Sequence, residues 1–199
     1  MGILTSRQLV ERIGKEYSSP KAKITQMLKQ GQIYHLRRGW YADSLSTSAE
    51  IVAMALVPMS YISLQSALRH YGMIPDAVMN YTLASPCVER KVVYTNDFGS
   101  FLYYPVPLAA AGQGLLIEKL EDGMFFIASR EKALMDLVYR VKGITTVNDM
   151  ILFLLEDMRM EEEELATVDI SFIENTAHLY AREKEYLLAS ALKKIRRRN

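Results

Sequence analysis

The sequence predicts an α+β protein: an N-terminal winged helix-turn-helix, then a mixed α/β domain with a largely antiparallel sheet and a C-terminal helical segment. Three observations lead there. Apolar residues recur at helical spacing across residues 9–28, four short β-branched and aromatic runs occupy the middle of the chain, and the last stretch returns to helical stripes. Helices, then strands, then helices favour an α+β body over a doubly wound parallel sheet.

The first stretch, 1–43, reads as helix, helix and hairpin. Thr5 or Ser6 caps a first helix carrying Leu9, Val10 and Ile13, which ends at or soon after Gly14. Ser19 caps a second helix with Pro20 at its first position, where a missing N–H costs nothing. Ile24, Met27 and Leu28 form its buried stripe, and Gly31 stops it. Residues 33–42 follow as a two-stranded wing that turns at Arg37-Arg38-Gly39.

The second stretch, 44–143, is mixed. A helix over 49–56 is closed by Pro58, and Ser63 caps another through Leu64, Ala67, Leu68 and Tyr71 to Gly72. Strands are expected at 78–84, 91–95, 101–106 and 124–128, with turns at Asn96-Asp97 and Asp122-Gly123. Ser129 caps a helix over 130–141 with Ala133, Leu134, Leu137, Val138 and Val141 facing inward. The third stretch, 144–199, reads as helices at 147–158, 170–180 and 181–198. The expected units are 1–43 and 44–199, the latter ending in the helical extension.

Composition narrows the function classes. Half the residues are hydrophobic, enough for a sizeable core. Cys87 is the one cysteine, which excludes an intrachain disulfide and a cysteine-based zinc site, and fits a reducing cytoplasm. No apolar run approaches the roughly 20 residues of a membrane span, and no start resembling a signal peptide is present. A cytoplasmic protein without membrane contact is expected. The opening Met1-Gly2-Ile3-Leu4-Thr5-Ser6 fits a loose N-myristoylation pattern, which so short a run meets by accident.

The net charge of +1 hides opposed blocks. Residues 1–42 hold eight Lys and Arg against Glu11 and Glu16, while 156–174 hold eight acids against Arg159. The tail over 193–198 adds five more cations. The N-terminal basic block is the one that suggests a polyanionic partner.

Catalytic signatures are missing: there is no Gly-rich phosphate loop, no G-x-S-x-G elbow and no H-E-x-x-H. His35, His70 and His178 have no metal-ligand spacing. Ser63 and His70 share a helix face, but two turns, about 10 Å of rise, separate nucleophile from base, so Ser63 reads as a cap. Asp136 and Arg140 read as an i,i+4 surface pair. No catalytic residue, cofactor or metal site is therefore assigned.

The second helix carries a sharper signal. With Ile24 and Leu28 turned inward, Ser19, Ala22, Gln26 and Lys29 face outward, flanked by Lys23 and Thr25. That face suits the major groove: small residues allow close approach and Gln pairs with adenine N6/N7. Lysines on its flanks meet phosphates, and Arg37-Arg38 at the wing tip reaches the backbone or an adjacent minor groove. The candidate DNA-binding residues are thus Ser19, Lys21, Lys23, Gln26, Lys29, Arg37 and Arg38. The plainer reading is a basic solvated module of the same shape that binds protein. Among the other charge runs, the one over 161–164 suits a helix start, and the basic tail either complements a helix C-terminus or extends the DNA footprint.

Three segments carry a family resemblance. Residues 27–42 (Met27-Leu28-Lys29-Gln30-Gly31-Gln32-Ile33-Tyr34-His35-Leu36-Arg37-Arg38-Gly39-Trp40-Tyr41-Ala42), residues 60–75 (Ser60-Tyr61-Ile62-Ser63-Leu64-Gln65-Ser66-Ala67-Leu68-Arg69-His70-Tyr71-Gly72-Met73-Ile74-Pro75) and residues 129–137 (Ser129-Arg130-Glu131-Lys132-Ala133-Leu134-Met135-Asp136-Leu137) are involved. Together they resemble the AbiEi-like antitoxins of type IV toxin–antitoxin systems, which are linked to abortive infection by phage. The middle segment is the most specific, and the match spans roughly residues 5–143. The resemblance implies an N-terminal domain that represses its own operon by binding promoter repeats. It also implies a second domain that counteracts a nucleotidyltransferase toxin, typically without forming a stable complex with it. This chain departs in one respect: the helix that often precedes the first one is nearly absent. Two other classes stay open, a plain winged-helix regulator with a sensing or dimerising domain and an enzyme with an unrecognised site.

Overall fold

The computed structural model describes residues 2–75 and 80–198. It opens with strand β1 (Ile3–Thr5), helix α1 (Ser6–Ile13), helix α2 (Pro20–Lys29), strand β2 (Tyr34–Arg37) and strand β3 (Trp40–Ala42). Thr5 starts α1 through a capping box. Its hydroxyl accepts from the Gln8 N–H, and the Gln8 side chain accepts from the Thr5 N–H. The sheet order is β1-β3-β2, both pairs antiparallel. β1 is too short to show a period in sequence; it is held by pairing Ile3 with Ala42 and Thr5 with Trp40. Leu9, Ile13, Ile24 and Ile33 bury against one another as a small core of their own.

The body begins with α3 (Ala49–Leu56), β4 (Tyr61–Ile62), α4 (Leu64–His70), β5 (Tyr81–Ser85), β6 (Val92–Asn96) and β7 (Gly99–Pro105). It continues with α5 (Leu108–Ala111), β8 (Leu115–Leu120), β9 (Gly123–Ala128) and α6 (Arg130–Arg140). Six strands form one sheet in the order β6-β7-β5-β4-β9-β8. The hairpins β6–β7 and β8–β9 and the pair β4–β5 are antiparallel, whereas β4–β9 and β5–β7 are parallel. The sheet is therefore mixed: the β6 excursion carries the chain out and back, so that β7 returns beside β5 in the same direction. Of the strand expected at 78–84, positions 78 and 79 lie outside the described residues, and 81–84 fall in β5. The short β4 and the more polar β8 were not anticipated.

Helices close the chain: α7 (Val147–Leu152), α8 (Glu162–Ala166), α9 (Ile170–Thr176) and α10 (Lys184–Arg196). The first expected helix is α only to Leu152 and then widens into a π turn over Phe153–Asp157. The second ends in a 3₁₀ turn over Ala177–Tyr180, and Ala181, at φ +52°, delays the third to Lys184. The acidic run forms the first turn of α8, where carboxylates oppose the helix dipole. The basic tail folds back: Lys193 pairs with Glu174, Lys194 meets Asn148, and Arg196 donates to the carbonyls of Ala166, the last residue of α8, and Val168 beyond it.

The N-terminal hairpin serves both cores. Leu36 and Ala42 belong to the large core of the body, and the Asn96 amide donates to the Leu36 carbonyl at 3.3 Å. Tyr34 meets Phe98 edge-on at 6.3 Å. Among the described residues, no helix is long and apolar enough to cross a membrane.

Candidate nucleic-acid interface

Helix α2 owes its orientation to the small core. Ile24 is buried, Met27 and Leu28 are half-buried, and the opposite stripe of Ala22, Thr25, Gln26 and Lys29 is exposed, with Lys21 beside it. Ser19 precedes the helix and is exposed, but its hydroxyl makes no capping hydrogen bond, contrary to the expected cap. Lys23 is half-buried, its ammonium 4.7 Å from the centre of the Tyr17 ring. Tyr17 thus holds one of the expected cations against the protein surface.

The hairpin turn separates its two arginines. Gly39, at φ +83°, closes the turn in a conformation that disfavours side chains, and its carbonyl accepts from the Ser6 N–H at 2.8 Å. That bond fixes the tip against the N-terminus of α1. Arg38 stands exposed there, while Arg37 lies half-buried with its guanidinium 5.2 Å from the Trp40 ring. The Arg37 Nε is buried without a hydrogen-bond partner, an arrangement of packing rather than of free reach. Arg7, which follows Ser6, is exposed on the same end of α1 and pairs with Glu11 at 3.0 Å. Sequence reading counted Arg7 in the basic block but did not place it near the tip; the missing signal was the short pairing of β1.

The body holds a second constellation, fully buried. Asp136 on α6 accepts from Tyr61 (3.0 Å) and Ser63 (2.7 Å) at Oδ2, and from Lys132 (2.8 Å) and Tyr180 (2.7 Å) at Oδ1. Lys132 also donates to the Tyr180 hydroxyl at 2.6 Å and lies 5.2 Å and 4.9 Å from the ring centres of Tyr61 and Tyr180. Two expectations are corrected here. Ser63 does not cap α4, because its hydroxyl turns to Asp136. Asp136 is no surface partner of Arg140: it pairs with Lys132 one turn earlier, and Arg140 stacks on Tyr104 at 4.2 Å.

Burying an ion pair costs several kcal/mol per ion unless the remaining lone pairs and protons are satisfied. Four donors on one carboxylate meet that condition. Burial drives the Tyr61 and Tyr180 phenols well above their ordinary value, with the Asp136 charge adding to it, so both stay protonated as donors. Burial also pulls the Lys132 ammonium down, against the opposing pull of Asp136. Tyr61 and Ser63 come from one family-like segment and Lys132 and Asp136 from another, so the fold joins the two in a single network. Near it on α10, Glu185 is buried with neither carboxylate oxygen hydrogen-bonded, and burial pushes its carboxyl up to about 7.

No family model and no curated protein matches the chain. It is similar to the solved crystal structure of the Rv2827c protein from Mycobacterium tuberculosis, at 15% identity and a TM-score of 0.48. That likeness covers 98% of this chain and 77% of the other.

Proposed function

We propose that the chain is a DNA-binding transcriptional regulator that reads its own promoter through a winged helix-turn-helix. The observation that carries this reading is the exposed Ala22, Thr25, Gln26 and Lys29 stripe of α2, with Lys21 beside it and Arg38 on a hairpin turn. Small and amide side chains at the centre suit base edges, and cations at the margins suit phosphates. The strand order β1-β3-β2 supports it too, since it returns the hairpin turn to the start of α1. The body is non-catalytic in this reading and acts in the cytoplasm as an antitoxin against a nucleotidyltransferase toxin, without a stable complex. The family-like segments support that role.

Fluorescence anisotropy with the chain's own upstream region tests the DNA reading. If about four to six phosphates are neutralised, the log–log salt slope is roughly −4 to −5 per bound chain. A flat salt response, or no binding at about 50 mM salt where such contacts are strong, refutes it. For the antitoxin role, the full chain carrying Lys21→Ala, Gln26→Ala, Lys29→Ala and Arg38→Ala is co-expressed with a nucleotidyltransferase encoded beside it. Growth rescue with lost promoter repression supports the division of labour. A folded variant that neither represses nor rescues removes the antitoxin reading and leaves a plain regulator.

A further inference from the structure

One face of the β8–β9 hairpin is apolar and uncovered. The antiparallel register sets Ile117 beside Phe126 and Lys119 beside Met124 on that face. Leu108 is 69% exposed, Met59 61%, Met124 58%, Ile117 57% and Phe126 44%. Met59, Tyr61, Leu108 and Phe126 border a hollow of about 330 Å³. β8 is also the last strand of the sheet, so one edge of its backbone is unpaired within it.

We propose that a second copy of the chain docks on this face about a two-fold axis, Leu108 of each copy entering the apolar hollow of the other. A two-fold interface must be complementary to itself, and this patch carries a projecting side chain and a hollow side by side. The area also fits. At roughly 150–200 Å² of surface per large side chain, those exposures leave about 500 Å² of apolar surface on each copy. A stable interface needs about 800 Å² per partner, a little over half of it apolar. Its centre carries no charge, and Lys119 stands at the rim opposite Met124, the usual arrangement of core and rim. The N-terminal hairpin contacts β6, at the opposite edge of the sheet from β8.

Sedimentation velocity of the full chain without DNA, from about 1 to 100 μM, reads the assembly directly. The expected result is a monomer–dimer equilibrium with dissociation in that range. Leu108→Glu and Ile117→Lys, both at exposed positions, are expected to weaken it about 30-fold or more, the loss of a central anchor. Val93→Lys, at an exposed apolar position on β6, is expected to leave it unchanged. Circular dichroism verifies that each variant is folded. A wild-type chain that stays monomeric at the highest concentration overturns the proposal, as does a dimer that survives both variants or is lost equally in Val93→Lys.

Discussion

Glu185→Gln should remove most of one pH-dependent component of stability. The wild-type carboxyl titrates at about 7 in the folded chain against an ordinary value of 4.5, chiefly because it is buried. The facing charges work in both directions: Asp136 raises it further, while Lys184 and Arg182 lower it. A group whose folded value is raised contributes stability that is fully present below about 4.5 and is lost as pH rises through about 7. Each pH unit of that difference is worth about 1.4 kcal/mol, so about 2.5 kcal/mol disappears between pH 5 and pH 8. For a chain of this length that is about 7 °C in Tm. Glutamine keeps the shape and cannot ionise. The assay is urea unfolding followed by far-ultraviolet circular dichroism at several pH values, comparing the two proteins. The difference curve cancels the contribution of every group that the substitution leaves in place. The variant should gain on the wild type by about 2–3 kcal/mol as pH rises from 5 to 8, whatever its offset at pH 5. Parallel curves would refute the assignment of an unpartnered, buried carboxyl.

The geometry also sets the expected outcome of six other substitutions. Lys132→Met leaves the Asp136 charge buried without its cation and should cost about 3–5 kcal/mol in chemical denaturation; Ser63→Ala removes one charged hydrogen bond for about 1.5–3 kcal/mol. Arg38→Ala should weaken all duplexes alike and flatten the salt slope at unchanged Tm, whereas Arg37→Ala should also lower Tm, because it strips packing from Trp40. Gln26→Ala should instead relax base preference at one or two positions by about 1–3 kcal/mol, measured by competition between operator and random DNA. Gly114→Ala should destabilise by more than about 1 kcal/mol, since at φ +66° its new Cβ would stand 2.7 Å from the Phe172 ring and 3.0 Å from the Lys132 Cβ.

The legible parts of this fold were those in which one face of an element meets one core. Leu9, Ile13 and Ile24 announce α1 and α2 by spacing, and Pro20 and Ser129 mark helix starts. What stayed hidden depends on partners distant in sequence. β1 has only three residues, and β8 has no clean alternation because both of its faces are partly exposed. The buried network was invisible for the same reason: Ser63 ahead of an apolar run is locally a cap, and only the arrival of Asp136, 73 residues later, redirects its hydroxyl. Lys132 and Asp136 have the spacing of a surface pair, and nothing local tells that the helix face is sealed by Tyr61 and Tyr180.

That convergence bears on where function can reside. Tyr61, Ser63, Lys132 and Asp136 are each almost completely buried. Their hydrogen bonds tie β4 and the residue after it to α6, so these four side chains hold the body together and present no contact surface. In the family-like segment over residues 27–42 the division runs through the hairpin itself. Leu36 and Ala42 face the large core while Arg38 faces solvent, and the Asn96 amide ties the strand between them to the β6–β7 turn. The tip itself is held from the other side, by the hydrogen bond from the Ser6 N–H to the Gly39 carbonyl. The hairpin that carries the proposed DNA contact is thus seated on the body at Leu36 and Ala42 and fixed to α1 at its tip, so Arg38 is presented from a support anchored on two sides.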